Sequence, residues 1–398
     1  MFPRLPARAR PLSASTRPGA RARVRLLVLL ALSAAPFLPA SGPAQAAGPQ
    51  ARVTVVAQGL EHPWSLAFLP DAPCSSPKGR GGCACCRDGR LSPAAGRRCP
   101  RWAAQGQGGL LDVALPPGFS RNRYVYLSYA ESDGKRSGTA VGRGRLSDDG
   151  RALEDFRVLF RQAPKLSTGV HYGARLVFDG RGYLYISLGE NYQRMAAQDL
   201  DKLQGKIVRL REDGSVPPDN PYAGKPGARA EIWSYGHRNP QGLALHPRTG
   251  QLWESEHGPR GGDEVNLVKR GANYGWPLAT YGIDYSGRPI PEARGGEAPG
   301  TEQPLYWWKQ SPAISGMAFY DADRFPAWRN SLFLGALADR DLIRLTLDGD
   351  KVVAEERLLG ERSSRIRDVR QGPDGYVYVL TDASPGELLR VAPAQPGE

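Results

Sequence analysis

The sequence predicts an all-β chain folded as a six-bladed β-propeller with four-stranded blades, and three observations carry that expectation. One phrase recurs six times: an apolar strand, a turn of Pro, Asp or Gly, and usually a second apolar strand. The copies stand about 47 to 75 residues apart, which leaves each room for a four-stranded blade. From residue 47 onward no amphipathic helix of four turns is evident. A β-sandwich, the rival all-β architecture, needs no such repeat, whereas a propeller is built by radial repetition.

Taken in order, the copies are Ser65–Asp71, Asp112–Gly118, Arg175–Gly180, Gly242–Pro247, Gly316–Asp321 and Asp368–Asp374. The partner strands begin at Tyr124, Tyr183, Gln251, Leu332 and Tyr376. They are aromatic and β-branched runs bounded by turn formers, as hairpins require.

Residues 1–46 read as a cleaved export signal and 47–398 as one catalytic propeller domain. Arg21, Arg23 and Arg25 precede the apolar run from Leu26 to Leu38, and Ala44-Gln45-Ala46 offers a small-residue cleavage site. The run is short for a bilayer span and no second candidate follows. The expected product is periplasmic or secreted, with no stable membrane insertion.

The net charge of +13 suggests nucleic acid, but its placement excludes that class. Residues 1–46 carry seven Arg and no acid, residues 72–101 carry seven basic residues and one acid, and the rest is neutral. A nucleic-acid binder concentrates its charge on the folded surface.

Three segments hold more polar and conformationally special residues than core strands need. They are Gly169–Arg175, Tyr235–Gly242, and Glu256–Glu264 followed by Asn273–Trp276. Each borders a blade strand, where its side chains can either position a substrate or cap a blade end. In the third, carboxylates and carbonyls in a Gly-rich loop suit calcium, and His257 alone offers nitrogen to zinc.

Together these segments resemble the soluble PQQ-dependent aldose sugar dehydrogenases of the soluble glucose dehydrogenase family. The motifs are Gly106–Asp112, His171–Leu176, Gln198–Lys206, Arg238–Gly242, Glu256–Glu264, Asn273–Pro277 and Arg365–Asp368. The resemblance implies oxidation of aldoses to lactones, with pyrroloquinoline quinone (PQQ) and calcium as cofactors and a periplasmic electron acceptor as partner. It implies His171 as general base, a task for a neutral imidazole titrating near working pH, with Arg238 beside it in the catalytic centre. Hydride passes from the sugar C1 to PQQ. Gln107, Arg238, Asn239, Arg365 and Arg367 are implied as PQQ contacts, since guanidinium forks suit its three carboxylates. Backbone oxygens of Gly258 and Pro259 are implied for the PQQ-side calcium, and Glu264 and Tyr274 for a structural one. Where the family often has a Lys, this chain has Ala338, with Arg340 nearby as a substitute cation. Two rivals remain: a calcium-dependent propeller lactonase, which needs no quinone, and an exported binding propeller without catalysis. The Arg, Gln and Asn set favours a polycarboxylate cofactor over both.

One stretch departs from the resemblance. Cys74, Cys83, Cys85, Cys86 and Cys99 crowd into 26 residues without the paired spacing of a zinc knuckle. In a shifted reading frame the triplets ending on the first two bases of a Cys codon encode Leu, Val or Met, and one allowed codon choice gives R-A-L-L-V-T-E-R-P-R-R-L-R-V-L, which resembles the family's first-blade hairpin. Residues 72–101 are therefore read as the product of two compensating frameshifts, in the gene or its reported sequence, and are expected to form a poorly packed loop without metal.

Overall fold

Each blade begins where an apolar strand runs into a Pro, Asp or Gly turn and returns as its antiparallel partner. The computed structural model describes residues 51–394 except 70–71, 79–81, 88–89, 94–101 and 151, and for 72–93 it describes strand backbone only. The export signal read in residues 1–46 lies outside the described residues.

Five four-stranded antiparallel blades follow in chain order. The first comprises Leu110–Ala114, Tyr124–Ser132, Ser137–Leu146 and Leu153–Arg161. The second comprises Gly173–Phe178, Tyr183–Leu188, Lys206–Arg211 and Ile232–Tyr235. The third comprises Pro240–Leu245, Leu252–Glu256, Asp263–Leu267 and Tyr306–Trp308. The fourth comprises Ile314–Tyr320, Ser331–Ala336, Leu342–Asp348 and Lys351–Leu358. The fifth takes Ile366–Gln371, Val377–Thr381 and Gly386–Pro393 from the end of the chain and Ala51–Leu60 from its beginning, with Ala51 opposite Pro393. Pairing the two ends of the chain removes a sheet edge that would otherwise invite association.

This corrects the expectation of six blades to five. Five sheets are complete, with buried inner faces that pack on their neighbours, as Tyr126 and Val141 do on Leu176 and Ile186. The remaining sheet is not equivalent: it has a three-residue first strand, Ala67–Leu69, followed by Ala72–Lys78, Gly82–Arg87 and Arg90–Pro93. Those three later strands fall in the anomalous stretch, and their side chains lie outside the described residues. The expectation of a loop there is corrected for the backbone, which pairs as strands with Cys74 opposite Cys86; the expected poor packing lies outside the described residues. Whether the cysteines hold a metal lies outside the described residues.

All five first strands carry a register shift near their start, between Leu110 and Val113, Gly173 and Leu176, Pro240 and Gly242, Ile314 and Met317, and Ile366 and Asp368. A bulge re-aims the residues it contains, and here those include Asp112, Arg175, Gln241, Ser315 and Arg367. Asp112, Arg175 and Asp368, fully buried, form the axle of the fold. Arg175 Nη1 lies 3.2 Å from Asp112 Oδ1 and 3.0 Å from Asp368 Oδ1, and its guanidinium sits 4.2 Å from the Trp64 ring. Arg370 adds a second guanidinium, 3.3 Å from Asp112 and 3.1 Å from Asp368. Two cations thus face two carboxylates, and the first strands of three blades are tied together. Among the described residues no helix is long and apolar enough to cross a membrane.

Candidate active site

The start of the second blade holds His171 in a conformation side chains rarely adopt. Its φ is +52°, and its N–H donates to Gln107 Oε1 at 2.8 Å. Asn191 Nδ2 donates to its carbonyl at 2.9 Å. Gly189 is glycine because a Cβ there would lie 1.9 Å from His171 O. Backbone strain of this kind persists where surrounding contacts over-determine it.

The imidazole is buried against a carboxyl group that the sequence reading missed. His171 Nδ1 and Glu190 Oε1 lie 2.6 Å apart, and the Tyr192 ring meets the imidazole edge-on at 4.4 Å. Burial, helped by the charge of Arg238, pushes the His171 pKa down to about 3. Burial thus favours the neutral imidazole, the form a general base needs. Burial pushes Glu190 the other way, up to about 7. Both groups are driven toward neutrality, and their titrations are linked through the hydrogen bond that joins them.

A cavity of about 340 Å³ opens at Gln107, the acceptor of the His171 N–H, and at Tyr172 and Gly173; His171 and Glu190 themselves are not in its wall. Its polar wall includes Gln107, Asn239, Arg365 and Arg367, four of the five residues expected to hold the cofactor, and Trp64, Leu111, Tyr172 and Leu337 are among its apolar lining. Arg238 is buried behind that wall. Its Nη1 donates to His257 O at 3.0 Å, and it lies 5.4 Å from the Trp276 ring. Its reach is therefore indirect: it fixes His257, which lines the cavity, and keeps His171 uncharged. Ala338 and Arg340 are both exposed and neither lines the cavity, so the substitute-cation expectation for Arg340 is not met by this geometry.

Asp382 organises the cations. It accepts from Arg365 Nε and Nη2 at 3.3 and 3.1 Å and from Arg367 Nη2 at 2.9 Å, and it pairs with His62 Nδ1 at 3.1 Å. Burial alone would raise its pKa, but Arg367, His62 and Arg365 outweigh burial and hold it down at about 2. From Arg367 the chain continues through Gln241 Oε1 at 3.3 Å and on to Asn239 Oδ1 at 3.2 Å. An isolated Asp and an isolated Glu carry no local signal, and only the fold brings them to the site.

Of the residues expected to bind metal, Gly258, Glu264 and Tyr274 meet in a second, smaller cavity of about 10 Å³, and Pro259 is not in its wall. That is room for roughly one water-sized occupant. The Tyr274 hydroxyl is committed, donating to Leu267 O at 2.5 Å and accepting from Lys269 N at 2.8 Å. Burial and the neighbouring Glu256 push the Glu264 carboxyl well above the usual range. A divalent cation would restore its ionised form, and in this respect the residues fit an oxygen-liganded ion.

Comparison with known proteins shows the family of the chain. Residues 60–390 match the model of the glucose/sorbosone dehydrogenase family. The chain belongs to the glucose/sorbosone dehydrogenase family. Within it, the chain is 57% identical over 369 residues to the aldose sugar dehydrogenase YliI of Escherichia coli K12, covering 90% of this chain and 97% of that one. The apo crystal structure of the soluble E. coli aldose sugar dehydrogenase superposes with a TM-score of 0.84, covering 86% of this chain and all of that one at 57% identity. The PQQ-bound aldose sugar dehydrogenase of Streptomyces coelicolor superposes with a TM-score of 0.71 at 28% identity, covering 87% and 100%. The chain is thus an enzyme of this oxidoreductase family, and its cavity wall combines arginines and amides with apolar surface.

Proposed function

We propose that this glucose/sorbosone dehydrogenase family member oxidises aldose sugars to lactones, with PQQ in the 340 Å³ cavity and calcium as its companion ion. The observation that carries the reading is the pairing of Arg365 and Arg367 on one wall with Gln107 and Asn239 in the same lining. A planar polycarboxylate meets guanidinium forks and amide donors there, against the apolar surface of Trp64 and Leu337. PQQ supplies a two-electron acceptor, and calcium supplies Lewis acidity toward its carbonyl.

The chain's own contribution is proton removal and positioning. With Nδ1 committed to Glu190, Nε2 is the nitrogen of His171 left to take the proton of the anomeric hydroxyl. An ionised Glu190 accepts Nδ1–H and then stabilises the imidazolium that forms. Asp382 holds the two arginines in place, and the bulge at Arg367 re-aims that side chain. Calcium in the small cavity is read as structural, with Glu264 and Tyr274 as its neighbours. Export to the periplasm or beyond by the signal in residues 1–46, and delivery of electrons to an acceptor there, belong to the same proposal.

Titrating PQQ into purified protein tests the pocket directly. Saturable one-to-one binding is expected, lost when Arg365 and Arg367 are both replaced by Ala. Failure to bind PQQ in the presence of calcium would remove the quinoprotein reading and favour the lactonase.

A further inference from the structure

Below the active-site loop lies a buried cluster that the proposed reaction does not use. Glu254 ends its side chain in the core of the third blade with no exposed surface, next to His237, which is also fully buried, and Glu256. One ligand-capable atom from each of the three lies within 4.8 Å of the others. Among the described residues no Lys or Arg side chain pairs with either carboxylate.

The geometry around the imidazole is unusual for a simple ion pair. His237 Nδ1 stands 3.4 Å from Glu256 Oε1 and 3.6 Å from Glu254 Oε1. Charge-assisted N–H···O bonds close to about 2.7–2.9 Å when nothing intervenes. Ligands about 2.1 Å from a tetrahedral zinc-like ion instead stand about 3.4 Å apart along each edge. The other ring nitrogen, Nε2, lies 2.9 Å from Ser234 Oγ. A metal-bound histidine is ordinarily oriented in this way through its far nitrogen. Glu254 supplies an independent sign: its Oε2 is buried without a hydrogen-bond partner, a costly state for a carboxylate oxygen unless something else engages it.

We propose that His237 Nδ1, Glu254 and Glu256 form a binding site for a zinc-class divalent ion, separate from calcium. Imidazole with two carboxylates is the donor set of borderline transition ions, whereas calcium takes six to eight oxygens. The small cavity beside Glu264 and Tyr274 adjoins this cluster and shares Glu256 with it, but neither His237 nor Glu254 lines that cavity. Burial opposes a charged imidazole, but with no ion bound Glu254 and Glu256 keep a proton on it up to about 9; the ion displaces that proton on binding. Glu256 Oε2 meanwhile accepts from the backbone N–H of Arg238 at 2.5 Å and of Asn239 at 3.1 Å. An ion on Glu256 therefore braces the loop that carries Arg238 and Asn239, of which Asn239 lines the proposed PQQ cavity.

The test uses the whole chain, stripped with chelator and kept in excess calcium, then titrated with Zn²⁺ and separately with Co²⁺. The proposal expects one tight zinc per chain that calcium does not displace, an intense four-coordinate Co²⁺ spectrum, and a rise in melting temperature on zinc addition. Glu254→Gln, close in shape, should weaken zinc binding by at least the roughly 10–100-fold that loss of a supporting partner costs a metal site. Absence of zinc binding, competition by calcium, or a weak six-coordinate Co²⁺ spectrum would each overturn it, as would unchanged affinity in Glu254→Gln. The cobalt spectrum of the unaltered protein decides the matter if that variant folds poorly. PQQ takes no part in these measurements, so their failure leaves the quinoprotein reading standing.

Discussion

His171 Nδ1 and Glu190 Oε1 lie 2.6 Å apart in a site where burial lowers one pKa to about 3 and raises the other to about 7. The protonation state of Glu190 decides which imidazole nitrogen carries the ring hydrogen, and so whether the imidazole can act. A protonated Glu190 donates to Nδ1, so the ring's own hydrogen sits on Nε2 and that nitrogen cannot accept. An ionised Glu190 takes Nδ1–H and frees the Nε2 lone pair.

Activity should therefore rise with pH through a midpoint near 7 that belongs to the pair. The raised carboxyl pKa sets the sign: the active form accumulates above it and is lost below it. In Glu190→Gln this step should vanish from the kcat/KM profile, and His171→Gln should lower kcat by about 10²–10⁴ while PQQ retention holds. A pH profile that is unchanged in Glu190→Gln contradicts the linked titration.

Asp382→Asn should loosen both arginines at once. Hydrogen bonds to charged groups contribute about 1.5–3 kcal/mol, so PQQ affinity should fall by about one to two orders of magnitude, with kcat at saturating PQQ little changed. Equilibrium titration of PQQ against variant and parent checks this. Glutamate at the same position should restore part of the loss, which a merely misfolded loop would not show.

The axle offers a test of the fold. Arg175→Ala leaves Asp112 and Asp368 facing each other with only Arg370 between them, and breaking a buried pair in this way costs about 3–5 kcal/mol. A thermal melt should show a large drop. A variant as stable as the parent would mean that the ion cluster is dispensable.

The hairpins were legible because strand alternation and turn residues are local, and strands run through the recurrent phrases at Asp112, Arg175, Gly242, Gly316 and Asp368. The closing strand Ala51–Leu60 was not: its partner lies at the far end of the chain, and no local pattern announces such a pairing. Gln107, Asn239, Arg365 and Arg367 were named through motifs and do share one cavity. Glu190, Glu254 and Asp382 were not named, since each acquires its role only by long-range approach. Arg175 was placed with the site loop, and burial assigns it to the axle instead.

The count of six blades failed at residues 72–101, the stretch read from the sequence as frameshifted. Ala72–Lys78, Gly82–Arg87 and Arg90–Pro93 have strand backbone, but Gly82-Cys-Ala-Cys-Cys86 offers little apolar bulk for a blade interior. Replacing the stretch with one carrying L-L-V-T-E-R-P-G-R-L-R-V-L should raise thermal stability. Mass spectrometry of peptides spanning Cys83 to Cys99 in native protein checks the premise, and finding those peptides would rule out an error in the reported sequence.

Reconstitution of the purified protein with PQQ and Ca²⁺, followed by dye reduction across a panel of aldoses, tests the central claim most directly. The account predicts dye-reducing activity that requires aldose, PQQ and calcium together, and that falls with His171→Gln. No activity with any aldose in the fully supplemented protein would contradict it.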